Sequence, residues 1–127
     1  MKPTVLVVDD DEALVALLRR SLTSAGYDVV TASDGAEAYA LVKAPGCACV
    51  LLDISMPGLN GAELLMLMQA EGLQVPAIIM TGSADFTLRE MKEFACVVQL
   101  FHKPFHLRDL LTAVGKHAKA GPRPGPG

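Results

Sequence analysis

Short apolar runs recur along the chain, and four of them end at a polar residue of a different kind. The first run ends at Asp9 and Asp10, and another ends at Asp53. A third stops at Thr81, and the last is followed closely by Lys103. The four runs cover residues 5–8, 50–52, 77–80 and 97–101. Short apolar runs bounded by polar residues are consistent with strands buried on both faces of a sheet.

The polar residues behind these runs meet if the runs are neighbouring parallel strands. The carboxyl ends of such strands lie along one edge of the sheet, where ligands bind in open α/β folds. Three carboxylates, a hydroxyl and an ammonium group would then share one pocket. Carboxylates held this close destabilise one another unless a cation intervenes. The pattern therefore predicts a divalent cation held by oxygen ligands, and Mg²⁺ is the natural candidate.

Between the apolar runs, hydrophobic residues recur at helical spacing, which indicates five βα repeats. The expected strands cover residues 5–8, 27–32, 47–53, 75–80 and 97–101. The expected helices cover residues 11–25, 33 or 34 to 44, 62–71, about 82 to 94, and 106–118. The buried stripe of the first helix is expected to contain Leu14, Leu17, Leu18, Leu22 and Ala25, and Gly26 is expected to end the helix. Right-handed crossovers then predict a doubly wound sheet with helices on both faces.

The composition fits one α/β domain. The chain has 127 residues, 51% of them hydrophobic, with a mean hydropathy of +0.37. This suits a sheet that is covered on both faces better than one with a face in water. We expect the domain to cover residues 1–118. Residues 119–127 are rich in Pro and Gly, which predicts a flexible tail or a truncated linker.

Charge and hydropathy exclude some partners. The formal net charge is -3 and Lys and Arg do not cluster, which argues against direct binding to nucleic acid. No apolar stretch approaches the ~18 residues that a membrane-spanning helix needs. Residues 1–4 do not have the layout of a signal peptide. We therefore expect a cytoplasmic protein that does not bind a membrane.

Three cysteines, Cys47, Cys49 and Cys96, lie in or beside apolar runs, as reduced thiols of a protein core do. Strand alternation predicts that the sulfurs of Cys47 and Cys49 share one face, where a metal-binding pair is conceivable. A second Cys/His pair at zinc spacing does not accompany them, so a role in the core is favoured.

Four motifs follow one another in a fixed order along the chain. They are Val7-Val8-Asp9-Asp10, Leu52-Asp53-Ile54-Ser55-Met56-Pro57-Gly58 with Gly61, Ile79-Met80-Thr81-Gly82, and Lys103-Pro104-Phe105. In this order they resemble the receiver domain of two-component response regulators. The motifs span residues 5–105, and all four together are highly specific. The resemblance implies a flavodoxin-like fold, with a five-stranded parallel sheet in the order 2-1-3-4-5.

The resemblance also implies how the acidic residues act. Asp53 would be the phosphoacceptor, taking a phosphoryl group from a phosphohistidine of a histidine kinase or phosphotransfer protein. Asp10 and Asp53, with the backbone carbonyl of Ser55, would bind Mg²⁺. Asp9 would act mainly through a metal-bound water. The domain would be a signalling phosphoacceptor with slow autodephosphorylation, rather than an enzyme with a turnover substrate.

Thr81 and Lys103 would contact phosphoryl oxygens, and the bond between Lys103 and Pro104 would be cis. Phosphoryl transfer supports these assignments on physical grounds. Its transition state spreads negative charge over three oxygens, so catalysis is mostly positioning and stabilisation by cations. An ammonium group and a metal ion would provide that positive charge.

The chain departs from the family at the fifth strand. The family has an aromatic residue three positions before the lysine, and Leu100 stands there. Phe101 should point to the opposite face, so it cannot replace that ring. Cys96 and Gln99 also change the surface formed by strand 4, helix 4 and strand 5. That surface would bind a downstream protein target or effector domain, and we expect output to depend mainly on residues 82–85 and the fourth helix.

Three other interpretations remain open at this point. A phosphohydrolase that works through an aspartyl-phosphate needs a second carboxylate two residues after the nucleophile, where this chain has Ser55. A receiver-like interaction module could use the fold without phosphorylation. The segment could also be part of a larger regulator or of a hybrid histidine kinase.

Overall fold

The computed structural model describes residues 2–56 and 61–118, in which five strands alternate with five helices. The strands are β1 (Thr4–Val8), β2 (Asp28–Ala32), β3 (Cys47–Asp53), β4 (Ala77–Thr81) and β5 (Val97–His102). The helices are α1 (Glu12–Ser24), α2 (Gly35–Val42), α3 (Gly61–Ala70), α4 (Leu88–Met91) and α5 (Leu107–His117). Among these described segments, the helices lack the length and apolar content that crossing a membrane requires.

The five strands form one parallel sheet in the order β2-β1-β3-β4-β5. The predicted fold class and strand order are therefore confirmed. Because β1 pairs with both β2 and β3, the winding of the chain reverses beside β1. In open α/β sheets, such a reversal leaves a crevice outside the carboxyl ends of the strands.

Hydrophobic cores lie on both faces of the sheet. One core packs against α2, α3 and α4, and the other packs against α1 and α5. The alternation along β1 shows how the strands serve both cores, since Leu6 and Val8 face the first and Val5 and Val7 face the second. All five residues of β4 are buried. The two cores thus fix the strand ends from which the polar residues project.

Side-chain caps determine where α1 and α2 begin. Asp11 and Asp34 each accept a hydrogen bond from the backbone N–H three residues ahead. Asp34, rather than Ser33, is therefore the N-cap of α2. Gly26 follows α1 with φ of +101°, a conformation that favours glycine. Because Asp11 is the N-cap of α1, Asp9 and Asp10 lie in the connection between β1 and α1 and do not cap the helix.

The predicted buried stripe of α1 is wrong at two positions. Leu17 is 44% exposed, and Ala25 is also exposed. The other predicted positions of the stripe are confirmed, since Leu18 and Leu22 are buried and the partly buried Leu14 packs against the same core. Leu17 lies one residue, or about 100°, away from Leu18 around the helix, and Ala25 lies beyond the last helical residue.

The predicted start of the fourth helix at residues 82–85, and its end near Phe94, are also wrong. α4 begins at Leu88 and ends at Met91. Its start is fixed by a capping box in which Thr87 Oγ1 accepts the N–H of Glu90 at 3.2 Å, and the Glu90 carboxylate accepts the N–H of Thr87 at 3.3 Å. Residues 82–87 form a loop instead.

The other element boundaries differ from the prediction by one or two residues. β2 begins at Asp28 rather than at Tyr27, and β4 begins at Ala77 and includes Thr81. β5 continues to His102. Residues 57–60, which include Pro57 and Gly58 of the second motif, and the expected tail at residues 119–127 lie outside the described residues.

The predicted shared face for Cys47 and Cys49 is wrong because β3 contains a bulge. Thr4 and Val5 of β1 pair with Cys47 and Cys49, so one residue of β3 is inserted between these pairs. Cys47 therefore packs against the first core, whereas Cys49 lies in the second. Burial raises the pKa of the Cys47 thiol to about 11 and also raises the pKa of Cys49. Thiols that stay protonated on opposite faces do not form a metal site.

Candidate functional site

Three aspartates meet at the carboxyl ends of β1 and β3. Asp9 and Asp10 follow β1 directly, and Asp53 is the last residue of β3, which pairs with β1. One carboxylate oxygen from each residue lies within 4.8 Å of the other two. Asp9 and Asp53 are only 5% and 4% exposed, whereas Asp10 is exposed. The structure therefore brings together the carboxylates that the strand pattern placed at one edge.

Lys103 reaches this cluster from the carboxyl end of β5, the strand at one edge of the sheet. It follows β5, and its backbone N–H donates to the carbonyl of Thr81 at 2.7 Å. Its Nζ lies 2.9 Å from Asp9 Oδ2 and 2.9 Å from Asp53 Oδ2. The peptide bond between Lys103 and Pro104 is cis, as the sequence motif predicts. One ammonium group thus bridges two buried carboxylates.

The charge state of Lys103 follows from two opposing effects. Burial on its own lowers the pKa of a lysine, because it disfavours the charged form. Hydrogen bonds to Asp9 and Asp53 and the negative charges of these residues outweigh burial, and they raise the pKa above its ordinary value of 10.5. By formal charge, three carboxylates and one ammonium group leave the cluster with two negative charges.

Backbone N–H groups hold the other oxygens of the two buried carboxylates. Asp9 Oδ1 accepts the N–H of Asp11 at 2.9 Å, and Asp53 Oδ1 accepts the N–H of Ser55 at 2.8 Å. Each carboxylate therefore has one oxygen bound to the backbone and one bound to Lys103. These bonds fix the orientation of both groups before any ligand binds.

Thr81 joins the site through Ser55. Thr81 is fully buried at the end of β4, and its Oγ1 lies 2.6 Å from the hydroxyl oxygen of Ser55. The same Oγ1 accepts the N–H of Ser83 at 3.0 Å. Since the backbone N–H of Ser55 binds Asp53, Ser55 links the buried hydroxyl to the buried carboxylate.

The sequence pattern did not predict a role for the hydroxyl of Ser55, because only the backbone carbonyl of Ser55 was assigned to the site. Ser83 was expected to affect output as one of residues 82–85, but its bond to Thr81 was not predicted. Both stand two residues after a predicted site residue, Asp53 and Thr81, at the spacing where side-chain oxygens commonly accept a backbone N–H. That spacing is the signal that could have identified them.

The two hydrophobic residues near the end of β5 face opposite ways, as strand alternation predicts. Leu100 packs against the core that contains α3 and α4, and Phe101 packs against the core that contains α1 and α5. The ring of Phe101 lies 5.7 Å from the ring of Phe105, centre to centre. Phe101 therefore does not occupy the position of the missing aromatic side chain.

The arrangement suits chemistry on an anionic group. A buried carboxylate with one oxygen beside an ammonium group can attack an electrophile, and the ammonium group can stabilise negative charge on that electrophile. The cluster of three carboxylates offers hard oxygen ligands, which Mg²⁺ prefers. The site thus combines a buried carboxylate, an ammonium group and a set of oxygen atoms that suits a second cation.

Comparison with known proteins gives consistent matches. Residues 5–115 match the family model described as the response regulator receiver domain. The chain is 37% identical over 112 residues to response regulator MprA of Mycolicibacterium vanbaalenii, an alignment that covers 88% of this chain and 48% of that protein. It is 31% identical over 122 residues to transcriptional regulatory protein TcrA of Mycobacterium tuberculosis, covering 96% and 48%. The chain therefore spans about half the length of the curated relatives that it matches.

Solved structures also share the fold. The non-phosphorylated HemR receiver domain from Leptospira biflexa has a TM-score of 0.82 and 28% identity, covering 98% of this chain and 100% of that chain. Response regulator protein TrrA from Thermotoga maritima, solved in complex with Mg²⁺ and BeF, has a TM-score of 0.76 and 29% identity, covering 91% and 98%. Both likenesses extend over nearly the whole chain.

Proposed function

This chain belongs to the response regulator receiver domains of two-component systems, and we propose that it is switched by phosphorylation of Asp53. The phosphoryl donor is a phosphohistidine of a histidine kinase or phosphotransfer protein. The observation that carries the proposal is the position of Lys103 Nζ, 2.9 Å from carboxylate oxygens of both Asp9 and Asp53. A buried carboxylate is there paired with the cation that a phosphoryl group on it would need.

Asp53 is proposed as the nucleophile because its carboxylate is buried, oriented and paired. In the transfer, an Asp53 oxygen forms a bond to phosphorus while the bond between phosphorus and the donor imidazole nitrogen breaks. The electron pair of that bond leaves with the imidazole. The N–H of Ser55 holds Asp53 Oδ1 at 2.8 Å, which limits the orientations that the attacking group can adopt.

Lys103 and Thr81 are proposed to bind the transferred phosphoryl group. The raised pKa of Lys103 keeps it positive at neutral pH, so it can stabilise the charge that develops on the phosphoryl oxygens. Thr81 offers a buried hydroxyl that Ser55 links to Asp53. Turning this hydroxyl toward a phosphoryl oxygen would exchange its bond to Ser55 for a stronger bond to an anion.

The residues present fit Mg²⁺. The proposed ligands are Asp10, Asp53 and the backbone carbonyl of Ser55, since Mg²⁺ takes one or two carboxylates and keeps several waters. Asp9 is proposed to act through a metal-bound water, as the family resemblance implies. Asp10 is exposed, so its carboxylate is open to an ion from solvent. The ion, when bound, provides positive charge beside the phosphoryl oxygens.

The proposed output surface is the one formed by β4, α4 and β5. Thr81 lies at the end of β4, and the loop after it leads directly to α4, so a change at Thr81 is passed to this surface. A downstream protein target or an effector domain would bind there. We propose a cytoplasmic location for the domain, where kinases that use ATP act.

Two further candidates are weaker. A phosphohydrolase of the aspartyl-phosphate type lacks its second carboxylate, because the residue two positions after Asp53 is Ser55. Slow autodephosphorylation is the only turnover that we propose. A receiver-like module that is not phosphorylated is favoured by Leu100, which packs against the core in place of an aromatic residue. The segment could serve alone, in a larger regulator or in a hybrid histidine kinase.

Intact-mass measurement tests the proposal. The chain is exposed to Mg²⁺ and a small acyl phosphate, and the mass of the wild type should rise by one phosphoryl group. Asp53→Asn should stay unmodified, and a chelator should prevent the reaction in the wild type. Asp28→Asn is the matched control, because Asp28 is exposed at the amino end of β2, away from the site. An unmodified wild type would reject phosphorylation and favour the interaction module.

A further inference from the structure

The loop of residues 82–87 connects Thr81 to α4. At its start, the N–H of Ser83 donates to Thr81 Oγ1 at 3.0 Å. At its end, Thr87 caps α4. Phe86 lies between these points and packs against the core that contains α2, α3 and α4. A displacement of Thr81 can therefore reach α4 through a loop that is attached at both ends.

A side chain of β5 also makes a hydrogen bond to this loop. His102 Nε2 lies 2.8 Å from the backbone carbonyl oxygen of Phe86. A carbonyl oxygen can only accept a hydrogen bond, so Nε2 is the donor. In the pairing of β4 with β5, His102 is the register partner of Thr81. His102, which lies opposite Thr81 in the sheet, is thus hydrogen-bonded to the loop that follows Thr81.

Thr81 cannot turn toward a phosphoryl group on Asp53 without changing these bonds. Its hydroxyl lies 2.6 Å from that of Ser55 and accepts the N–H of Ser83. Rotation of the hydroxyl toward Asp53 would weaken both bonds and pull on Ser83. Phe86 is only three residues beyond Ser83, so the bond from His102 to Phe86 opposes that movement.

Leu100 does not provide such a link, although it lies on the same face of β5 as His102. It packs against the core that also contains Phe86 and Leu88, and an aliphatic side chain makes no hydrogen bond. Within the described part of β5, the side chain of His102 makes a polar contact with this loop.

We infer that His102 is a positioning residue of the switch: its hydrogen bond to Phe86 stabilises the conformation in which Ser55 and Ser83 hold Thr81, and it is released when Thr81 turns toward a phosphoryl group on Asp53. The inference rests on the proposed function, since it describes how the same site is regulated. The hydrogen bond of His102 thus connects β5 to the loop after Thr81, which the aliphatic side chain of Leu100 cannot do.

Removing the hydrogen bond between His102 and Phe86 should increase the population of the conformation in which Thr81 is turned toward Asp53. Loss of one hydrogen bond changes an equilibrium constant by about two- to tenfold. The apparent affinity of a ligand rises in proportion to the population of the conformation that binds it, when that population is small. His102→Ala should therefore bind a phosphoryl mimic about two- to tenfold more tightly than the wild type.

The experiment titrates the full chain with beryllofluoride in the presence of Mg²⁺ and follows the backbone amide signals of Gly82 and Ser83 by NMR. His102→Gln keeps an N–H donor and should bind like the wild type. His106→Ala is the matched control, because His106 makes no side-chain capping bond at the start of α5. If His102→Ala does not fold, His102→Phe removes the donor and keeps a ring.

Each outcome has a defined meaning. Tighter binding by the variants without a donor, and wild-type binding by His102→Gln and His106→Ala, supports the inference. Equal or weaker binding by the variants without a donor overturns the inference, because removing a bond with a purely structural role would not raise the affinity for beryllofluoride. That result leaves the proposed function intact. A wild type that binds no beryllofluoride at the Asp53 site overturns the proposed function and the inference together.

Discussion

Replacing Lys103 by methionine removes an ammonium group that is bonded to two buried carboxylates. The side chains of Asp9 and Asp53 are 0% and 6% exposed, and that of Lys103 is 23% exposed. Removing one partner of a buried ion pair costs about 3–5 kcal/mol, whereas an exposed pair is worth about 0–1 kcal/mol. Since the ammonium group is partly in water, we expect Lys103→Met to lower the free energy of unfolding by about 2–4 kcal/mol at pH 7.

This loss should shrink at high pH. In the wild type, the raised pKa of Lys103 means that its contribution is complete below the ordinary value of 10.5 and is lost as the pH rises through the raised value.

Urea unfolding followed by circular dichroism measures the effect, in the presence of a chelator and at several pH values. Lys2→Met is the control, because Lys2 is exposed and lies outside the secondary structure. Mg²⁺ should reduce the difference between the wild type and Lys103→Met, since a bound cation replaces part of the missing charge. Equal stability of the two proteins at pH 7, or a loss that does not vary with pH, would refute the reasoning.

Three further predictions concern packing, capping and thiol reactivity. Gly61→Ala should cost about 1–3 kcal/mol of unfolding free energy, because a Cβ there would lie 2.9 Å from Cγ1 of Ile54. Gly115→Ala, where the Cβ would meet nothing closer than 3.9 Å, should be neutral or stabilising, and equal urea curves for the two variants would contradict this. Thr87→Ala should cost about 1 kcal/mol through the loss of the α4 cap, and unchanged hydrogen exchange in α4 would argue against that role. Cys47, whose pKa rises from 9.0 to about 11 through burial, should be alkylated about a hundredfold more slowly at pH 8 than a free thiol, and labelling at the free-thiol rate would show that the site is open.

The sequence predicts the sheet well because burial on both faces leaves an unmistakable pattern. β1, β3 and β4 are almost wholly buried, so each appears as an apolar run that ends in a polar residue. Parallel pairing then brings the ends of the runs together, which is why Asp9, Asp53 and Lys103 could be assigned to one site. Lys103 in particular reaches Asp9 from 94 residues away in the sequence.

What the sequence does not predict depends on local hydrogen bonds and register. The residues Gly82 to Asp85 have the composition of a helix start, but the reciprocal bonds of Thr87 and Glu90 place the start of α4 later. The bulge in β3 reverses the face of Cys47 relative to Cys49, although β3 itself contains no glycine or proline. The position of the bulge depends on how β3 pairs with β1, and the amino-acid composition of β3 does not predict that pairing.

The polar partners of Thr81 show the same limit. A hydroxyl that bonds to Thr81 could come from any nearby serine, and only the folded arrangement identifies Ser55. The bond between His102 and Phe86 likewise joins residues from a strand and a loop whose relative positions the sequence does not specify. Site residues at strand ends are therefore predictable, whereas the residues that hold them are much less so.

Reductive trapping of the phosphorylated chain tests the central claim most directly. After reaction with Mg²⁺ and an acyl phosphate, borohydride reduces an aspartyl phosphate to homoserine, and peptide mass spectrometry locates the converted residue. The account predicts conversion at Asp53, with Asp9 and Asp10 unchanged, and a strongly reduced yield in Lys103→Met. Conversion at another aspartate, or none in a folded wild-type chain, would contradict it.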